Sequence, residues 1–161
     1  MRLGFTTGSC AAAGAKAATF MLLTGTEKKQ IKILTPKGIE FNAEIININR
    51  SENSVSCAVI KDGGDDPDVT TGAHIVSTVT IENYGNSSSI PEIQIQGGTG
   101  VGIVTKPGLD QKVGEYAINK VPRQMIKKEV LEVCSLCDFH GKLNVTISIP
   151  EGLKKKKKTF N

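Results

Sequence analysis

Three groups of residues in this chain could do chemistry, and they lie far apart in the sequence. The first is a run of hydroxyls, Thr6, Thr7 and Ser9, set around Gly4 and Gly8 just ahead of an alanine-rich stretch. If a helix opens there, its free N–H groups and partial positive charge can receive a carboxylate or phosphate, with the hydroxyls as further donors. Helix capping accounts for the same residues without a ligand. The second group is acidic. Asp62, Asp65, Asp66 and Asp68 crowd the segment IKDGGDDPDVTTG at 60–72. Four like charges so close call for cations, N–H donors or a metal. Asp side chains that bond nearby N–H groups of a turn are the competing account, and the spacing is not that of an EF-hand.

The third group lies in GGTGVGIVTKPGLDQKVGEYAINKVPRQMI, residues 97–126. Gly97, Gly98, Gly100 and Gly102 let a backbone approach a ligand closely, and Lys106 stands just before Pro107. Glu115, Asn119 and Arg123 follow at four-residue spacing, which gives them one face of a helix that starts early enough. A glycine-rich segment is also an ordinary turn or a site of close packing. The register is neither that of a P-loop nor G-x-G-x-x-G, which weakens a phosphate- or nucleotide-handling reading.

The cysteines offer two further chemistries. Cys10 falls in a first helical turn, where a thiol can be acidified. No histidine accompanies it in sequence, and its alanine neighbours suit burial. Cys134, Cys137 and His140 form C-x2-C-x2-H, three soft ligands for zinc or cobalt. A structural zinc wants a fourth ligand, and both cysteines fall on the apolar side of a helix end. Buried thiols and no bound metal are the expectation, and His74 is expected to be structural.

Composition narrows the classes. The formal charge of +4 includes five consecutive lysines at 154–158, without which it is five lower, at −1. With no tryptophan and 4% aromatic residues the chain lacks a basic stripe and a stacking surface, so nucleic acid is not an expected partner. No stretch approaches the about 20 apolar residues of a membrane span. Four scattered cysteines fit a reducing, cytoplasmic setting better than a disulfide framework.

The elements that must hold these residues can be read from pattern. Residues 9–23 are expected to form a helix capped by Thr7 or Ser9 and ended by Gly25. Gly14 in its middle is tolerable if something packs against it. The alternation from 30 to 50 about Thr35, Pro36, Lys37 and Gly38 signals a hairpin. Strands are expected at 54–60, 73–82, 91–96 and 142–150. A second helix spans 121–136, with Pro122 in its first turn and an apolar stripe of Met125, Ile126, Val130, Val133 and Leu136 or Cys137. The chain therefore reads as α+β, a mixed or mostly antiparallel sheet with hairpins packed against two main helices. Residues 1–150 make the domain, and 151–161 a lysine-rich tail or the start of a linker.

Taken in order, LGFTTGSCAAAGAKAA, KDGGDDPDVTTGA, GGTGVGIVTKPGL and VGEYAINKVPRQMI closely resemble the cobalt-precorrin-5B (C1)-methyltransferase family of anaerobic cobalamin biosynthesis. The resemblance runs from Arg2 to Asn161. Members of that family are about twice as long, the room of a second domain of about 100–200 residues. They continue past a KTFNP-like stretch into a second glycine-rich half, so this chain looks like the N-terminal half. The family phrase is close to INPVPR, where this chain has INKVPR with Lys120.

The resemblance implies methyl transfer from S-adenosylmethionine to ring carbon C1 of a cobalt-containing tetrapyrrole that carries several carboxylates. Thr6, Thr7, Ser9, Lys106, Asn119 and Arg123 are then the expected substrate contacts. Gly97, Gly98, Gly100 and Gly102 are the expected cofactor contacts. Asp62, Asp65, Asp66 and Glu115 are the carboxylates that could take a proton. The competing readings are a phosphate- or nucleotide-handling domain and a non-catalytic tetrapyrrole-binding module. All of these rest on one spatial expectation, that the three segments gather at a common pocket.

Overall fold

The structure, a computed structural model, describes residues 4–64, 72–101 and 118–150. Among these described residues nine elements follow in chain order: α1 (Thr7–Thr24), β1 (Gln30–Leu34), β2 (Glu40–Glu44), β3 (Ile46–Arg50), β4 (Ser54–Ile60), β5 (His74–Asn83), β6 (Glu92–Gly97), α2 (Lys120–Leu136) and β7 (Lys142–Ser148). The α+β expectation holds. β1 and β2 form an antiparallel hairpin of their own, and the other five strands form a sheet of order β3-β4-β5-β7-β6. Every pair in that sheet is antiparallel except β6 with β7.

α1 explains the layering. Its buried positions, Thr7 to Ala15 and then Ala17, Ala18, Thr19 and Met21, leave almost no polar face. A helix that is apolar all round must be covered on all sides. Here β4 and β5 lie beneath it, α2 runs beside it, and β1 of the hairpin covers it from above. Small side chains allow the close approach. A Cβ added at Gly14 would stand 2.7 Å from Ser77 Oγ and 3.2 Å from Ser77 Cβ, so the mid-helix glycine is where β5 presses on the helix. The buried Ser77 hydroxyl donates to the Ala11 carbonyl at 3.1 Å.

The caps differ slightly from expectation. The N-cap is Thr6, neither Thr7 nor Ser9. Its Oγ1 accepts from the Ser9 N–H at 3.0 Å and lies 3.1 Å from the Ser9 hydroxyl. Gly25 does end the helix, in a left-handed conformation (φ 74°) with its N–H donating to the Met21 carbonyl at 2.9 Å. The Arg50 guanidinium donates to that same carbonyl at 2.6 Å and ties the end of α1 to β3.

α2 is amphipathic, but its buried stripe is Ile126, Val130, Val133 and Cys134, while Leu136 is 76% exposed. Cys134, rather than Leu136, completes the i, i+3, i+4 spacing. α1 and α2 run side by side in the same direction. Lys16, nine residues into α1, meets Glu129, nine residues past the start of α2, at 3.2 Å, and reaches Glu132 at 3.6 Å. Glu129 is buried (4% exposed), so its charge stands only with this partner.

In the strands, alternation is plain. Ile31, Ile33, Phe41 and Ala43 of the hairpin face inward, as do Val55, Cys57 and Val59 of β4 and Leu143, Val145 and Ile147 of β7. Each valine, leucine, isoleucine and phenylalanine among them contributes about 1.5–3 kcal/mol by leaving water. The alternating run does not continue through 50 as one hairpin arm. It breaks at Ile45, and β3 turns away into the larger sheet with Asn47 at φ 53° and a register shift between Ile46 and Asn49. Among the described residues no helix is long and apolar enough to cross a membrane.

Candidate functional site

The sheet delivers its loops to one edge. Ile60 pairs with His74, Val76 with Ser148, and Gly97 with Ile147. The chain therefore leaves β4, β6 and β7 at the same side, and both helices begin there. The carboxyl ends of strands facing helix N-termini are a favoured place for anionic ligands in α/β architectures.

The first two segments touch. The Phe5 N–H donates to the Asp62 carbonyl at 3.0 Å. Gly4 lies so close to Gly63 that an added Cβ would stand 2.1 Å from its carbonyl oxygen. Only glycine lets these two backbones meet. The Asp62 carboxylate accepts the Gly64 N–H at 2.8 Å, the turn chemistry that competes with a site role. Asp65, Asp66 and Asp68 lie outside the described residues.

The glycine segment starts at the same edge but packs onto β7. The Gly98 N–H donates to the Ile147 carbonyl at 2.8 Å, and the Ile149 N–H donates to the Thr99 carbonyl at 2.7 Å. A Cβ at Gly98 would be 2.5 Å from Ser148 Oγ, and one at Gly100 would be 1.9 Å from the Ile149 carbonyl oxygen. Gly100 also has φ 81°. Close packing and a left-handed turn account for both glycines, and Gly97 is buried within β6. Gly102, Lys106 and Glu115 lie outside the described residues.

The expected face of Glu115, Asn119 and Arg123 is not a continuous helix, because α2 starts at Lys120 and Asn119 is its extended N-cap (φ −66°, ψ 167°). Arg123 sits in the first turn, with Nε donating to the Ile118 carbonyl at 2.8 Å. Among the hydroxyls, Thr6 is exposed at the helix mouth, while Thr7 and Ser9 are 4% and 3% exposed.

A cleft of about 420 Å³ opens at this end of the molecule. Gly4, Phe5, Thr6 and Ser9 line it from the first loop, Val121 and Met125 from α2, and Thr35, Pro36, Lys37 and Ile39 from the hairpin turn. The hairpin residues complete a wall the sequence did not assign to the site. Their signal was there, a Thr-Pro-Lys-Gly turn carrying a cation. Asp62 lines a separate hollow of about 300 Å³ on the other side of Phe5, whose ring stacks on Phe41 at 4.1 Å. A larger hollow of about 580 Å³ lies beyond Lys16, toward the C-terminal ends of the helices. It mixes charges of both signs and takes in none of the three segments.

Three of the four thiols are buried and held protonated. Burial pushes Cys10 up to about 12, outweighing the nearby Lys61 charge that pulls it down. Burial likewise raises Cys57 to about 12 and Cys134 to about 11. Such groups stay protonated near neutral pH. Lys61 continues the inward-facing alternation of β4 and is 6% exposed, a buried cation beneath the mouth of α1.

His140 does not join the cysteines. Its Nε2 lies 2.7 Å from Asp138 Oδ1 and its Nδ1 lies 3.1 Å from the Ser89 carbonyl. Among the described residues no cluster of three potential ligands could hold a metal ion.

Comparison with known proteins gives the family. The CbiD family model matches residues 1–161. The chain is 49% identical over its whole length to a cobalt-precorrin-5B C(1)-methyltransferase of Clostridium perfringens (strain SM101 / Type A), covering 41% of that protein. It is 47% identical to those of Geobacter sp. (strain M21) and Geobacillus kaustophilus (strain HTA426), over 100% of this chain and 44% and 42% of theirs. It thus spans less than half the length of these relatives. A crystal structure of the cobalamin biosynthesis protein (cbiD) from Archaeoglobus fulgidus has the same fold, with TM-score 0.61 and 24% identity over 96% of this chain and 46% of that one. By sequence over its full extent, the chain belongs to the CbiD family.

Proposed function

We propose that this chain is the substrate-holding part of an enzyme that methylates ring carbon C1 of a cobalt-precorrin. The observation that carries the reading is the match of all 161 residues to C1-methyltransferases, in a chain whose first loop, α2 and hairpin enclose an apolar-floored cleft. The acceptor is an electron-rich conjugated macrocycle bearing several carboxylates. Thr6 and the mouth of α1, with Arg123 and Asn119 at the start of α2, are assigned to those carboxylates, and Lys106 joins them. Thr7 and Ser9, both buried, shape the mouth from inside. An arginine can hold a carboxylate through two parallel bonds. The carboxylate that takes a proton leaving the ring is drawn from Asp62, Asp65, Asp66 and Glu115.

S-adenosylmethionine supplies a methyl group already activated on a sulfonium, so no covalent enzyme intermediate is required. That leaves this chain to fix the ring and exclude water, and alignment of this kind is worth about 7–11 kcal/mol of barrier. At Gly98 and Gly100 the space a side chain would fill is taken by β7 and the residue after it, so packing alone accounts for those two glycines.

A chimera tests the reading. This chain replaces the matching portion of the Clostridium perfringens relative, and the product is mixed with a cobalt-precorrin and S-adenosylmethionine labelled at the methyl. Label in the tetrapyrrole is the expected result. A folded chimera that binds the tetrapyrrole but never transfers label would leave a binding module in its place.

A further inference from the structure

We propose that the β1–β2 hairpin and the first three turns of α2 form the seat for the tetrapyrrole's edge, with Lys37 and Lys128 holding carboxylates at its two ends. This deepens the proposed function and rests on it. The cleft of about 420 Å³ at the mouth of α1 does not stop at Met125. A second hollow of about 290 Å³ shares Thr35, Pro36, Val121 and Met125 with it and runs on along α2 to Lys128. The shared middle is apolar, and it is left open, with Val121 52% exposed and Leu34 at its flank 56% exposed. Large apolar side chains gathered in one groove mark a surface that is covered in use.

Charge decides the occupant. Among the described residues the only charged one lining the first hollow is Lys37, at the tip of the hairpin. The second is lined by Lys128 and Glu129, and Glu129 is buried against Lys16. The groove therefore presents an apolar strip with a cation toward each end. That is the complement of a flat, largely apolar ring edge with anionic substituents, and it does not suit a cationic or a small polar ligand. Among the described residues the hairpin pairs with no strand of the larger sheet, so the wall it gives the groove is held by packing on α1 rather than by the ladder of that sheet. Its role is to set which substituent pattern fits.

The probe is a cobalt porphyrin bearing eight carboxylates, titrated into the 161-residue chain by absorbance at low salt. A cobalt porphyrin bearing cationic substituents is the control. Lys37→Glu, Lys128→Glu and Val121→Asp alter exposed side chains, so circular dichroism should find them folded. Each is expected to raise Kd at least tenfold, and Lys127→Glu, the same charge change on the same helix off the groove, less than twofold. Unchanged binding in the three variants, or equal loss with Lys127→Glu, would overturn the seat while leaving the tetrapyrrole reading standing. Equal binding of the cationic porphyrin would overturn its charge logic. A wild-type chain that takes up neither porphyrin overturns both the seat and the reading beneath it. If that chain is instead a dimer by light scattering, and Val121→Asp makes it monomeric, the groove belongs to a second copy.

Discussion

His140 shows how much a single side chain can be made to say. Both its ring nitrogens face acceptors, a carboxylate oxygen of Asp138 and the carbonyl of Ser89. A neutral imidazole has only one N–H to give, so both contacts are satisfied only in the protonated ring. The hydrogen bond to Asp138, then the one to Ser89, hold its pKa above the usual 6.5. The sign follows by linkage. A group whose folded pKa is raised adds stability that is complete below its unfolded value and lost as pH climbs through the folded value. The melting temperature of His140→Gln should therefore fall below wild type at pH 5.5, and the gap should close toward pH 8. A gap that is constant with pH would mean the pair contributes only shape. The C-x2-C-x2-H spacing could not reveal this, because it shows neither Ser89, 51 residues away in sequence, nor the turn at Asp138 with φ 54°.

At the scale of elements the sequence was most legible where periodicity met punctuation. Both helices and the strands were placed to within a few residues, because Gly25, Pro122 and the Thr35–Gly38 turn mark ends that physics enforces. It was least legible where tertiary contact chose among equivalents. Cys134 took the place expected of Leu136, and the run 30–50 divided between two sheets. Gly14 lies between these cases. A mid-helix glycine announces close contact, but only the fold names Ser77 as the partner. Gly14→Ala should gain helix propensity and still lose about 1–3 kcal/mol through overpacking. Ser77→Ala removes the nearest atom, at the cost of about 1 kcal/mol for its bond to Ala11. In urea titrations the double variant should therefore lose less than the two single losses combined. Strict additivity would refute the contact as the reason for the glycine.

The whole molecule turns on how two distant loops become one surface. Of the candidate site, the hydroxyl loop and the acidic turn were legible separately. Their junction was not, since nothing in the text of the chain says that Gly4 abuts Gly63. The hairpin wall of the cleft was hidden for a related reason: an alternating strand pair shows that it has an apolar face, not that α1 needs covering there. Gly4→Ala tests the junction directly. Its Cβ would fall 2.1 Å from the Gly63 carbonyl oxygen, and no rotamer relieves a backbone clash. The loops must part, and the Phe5 to Asp62 hydrogen bond with them. The core is spared, because Gly4 is exposed and precedes the Thr6 cap. Hydrogen exchange should show the Phe5 amide losing its protection while amides of β4 and β5 keep theirs. Porphyrin affinity should fall with it, because Phe5 and Thr6 line the cleft. Retained protection at Phe5 would show that the two loops are held by other contacts. Lost protection with unchanged affinity would show that the cleft does not need the acidic turn in place.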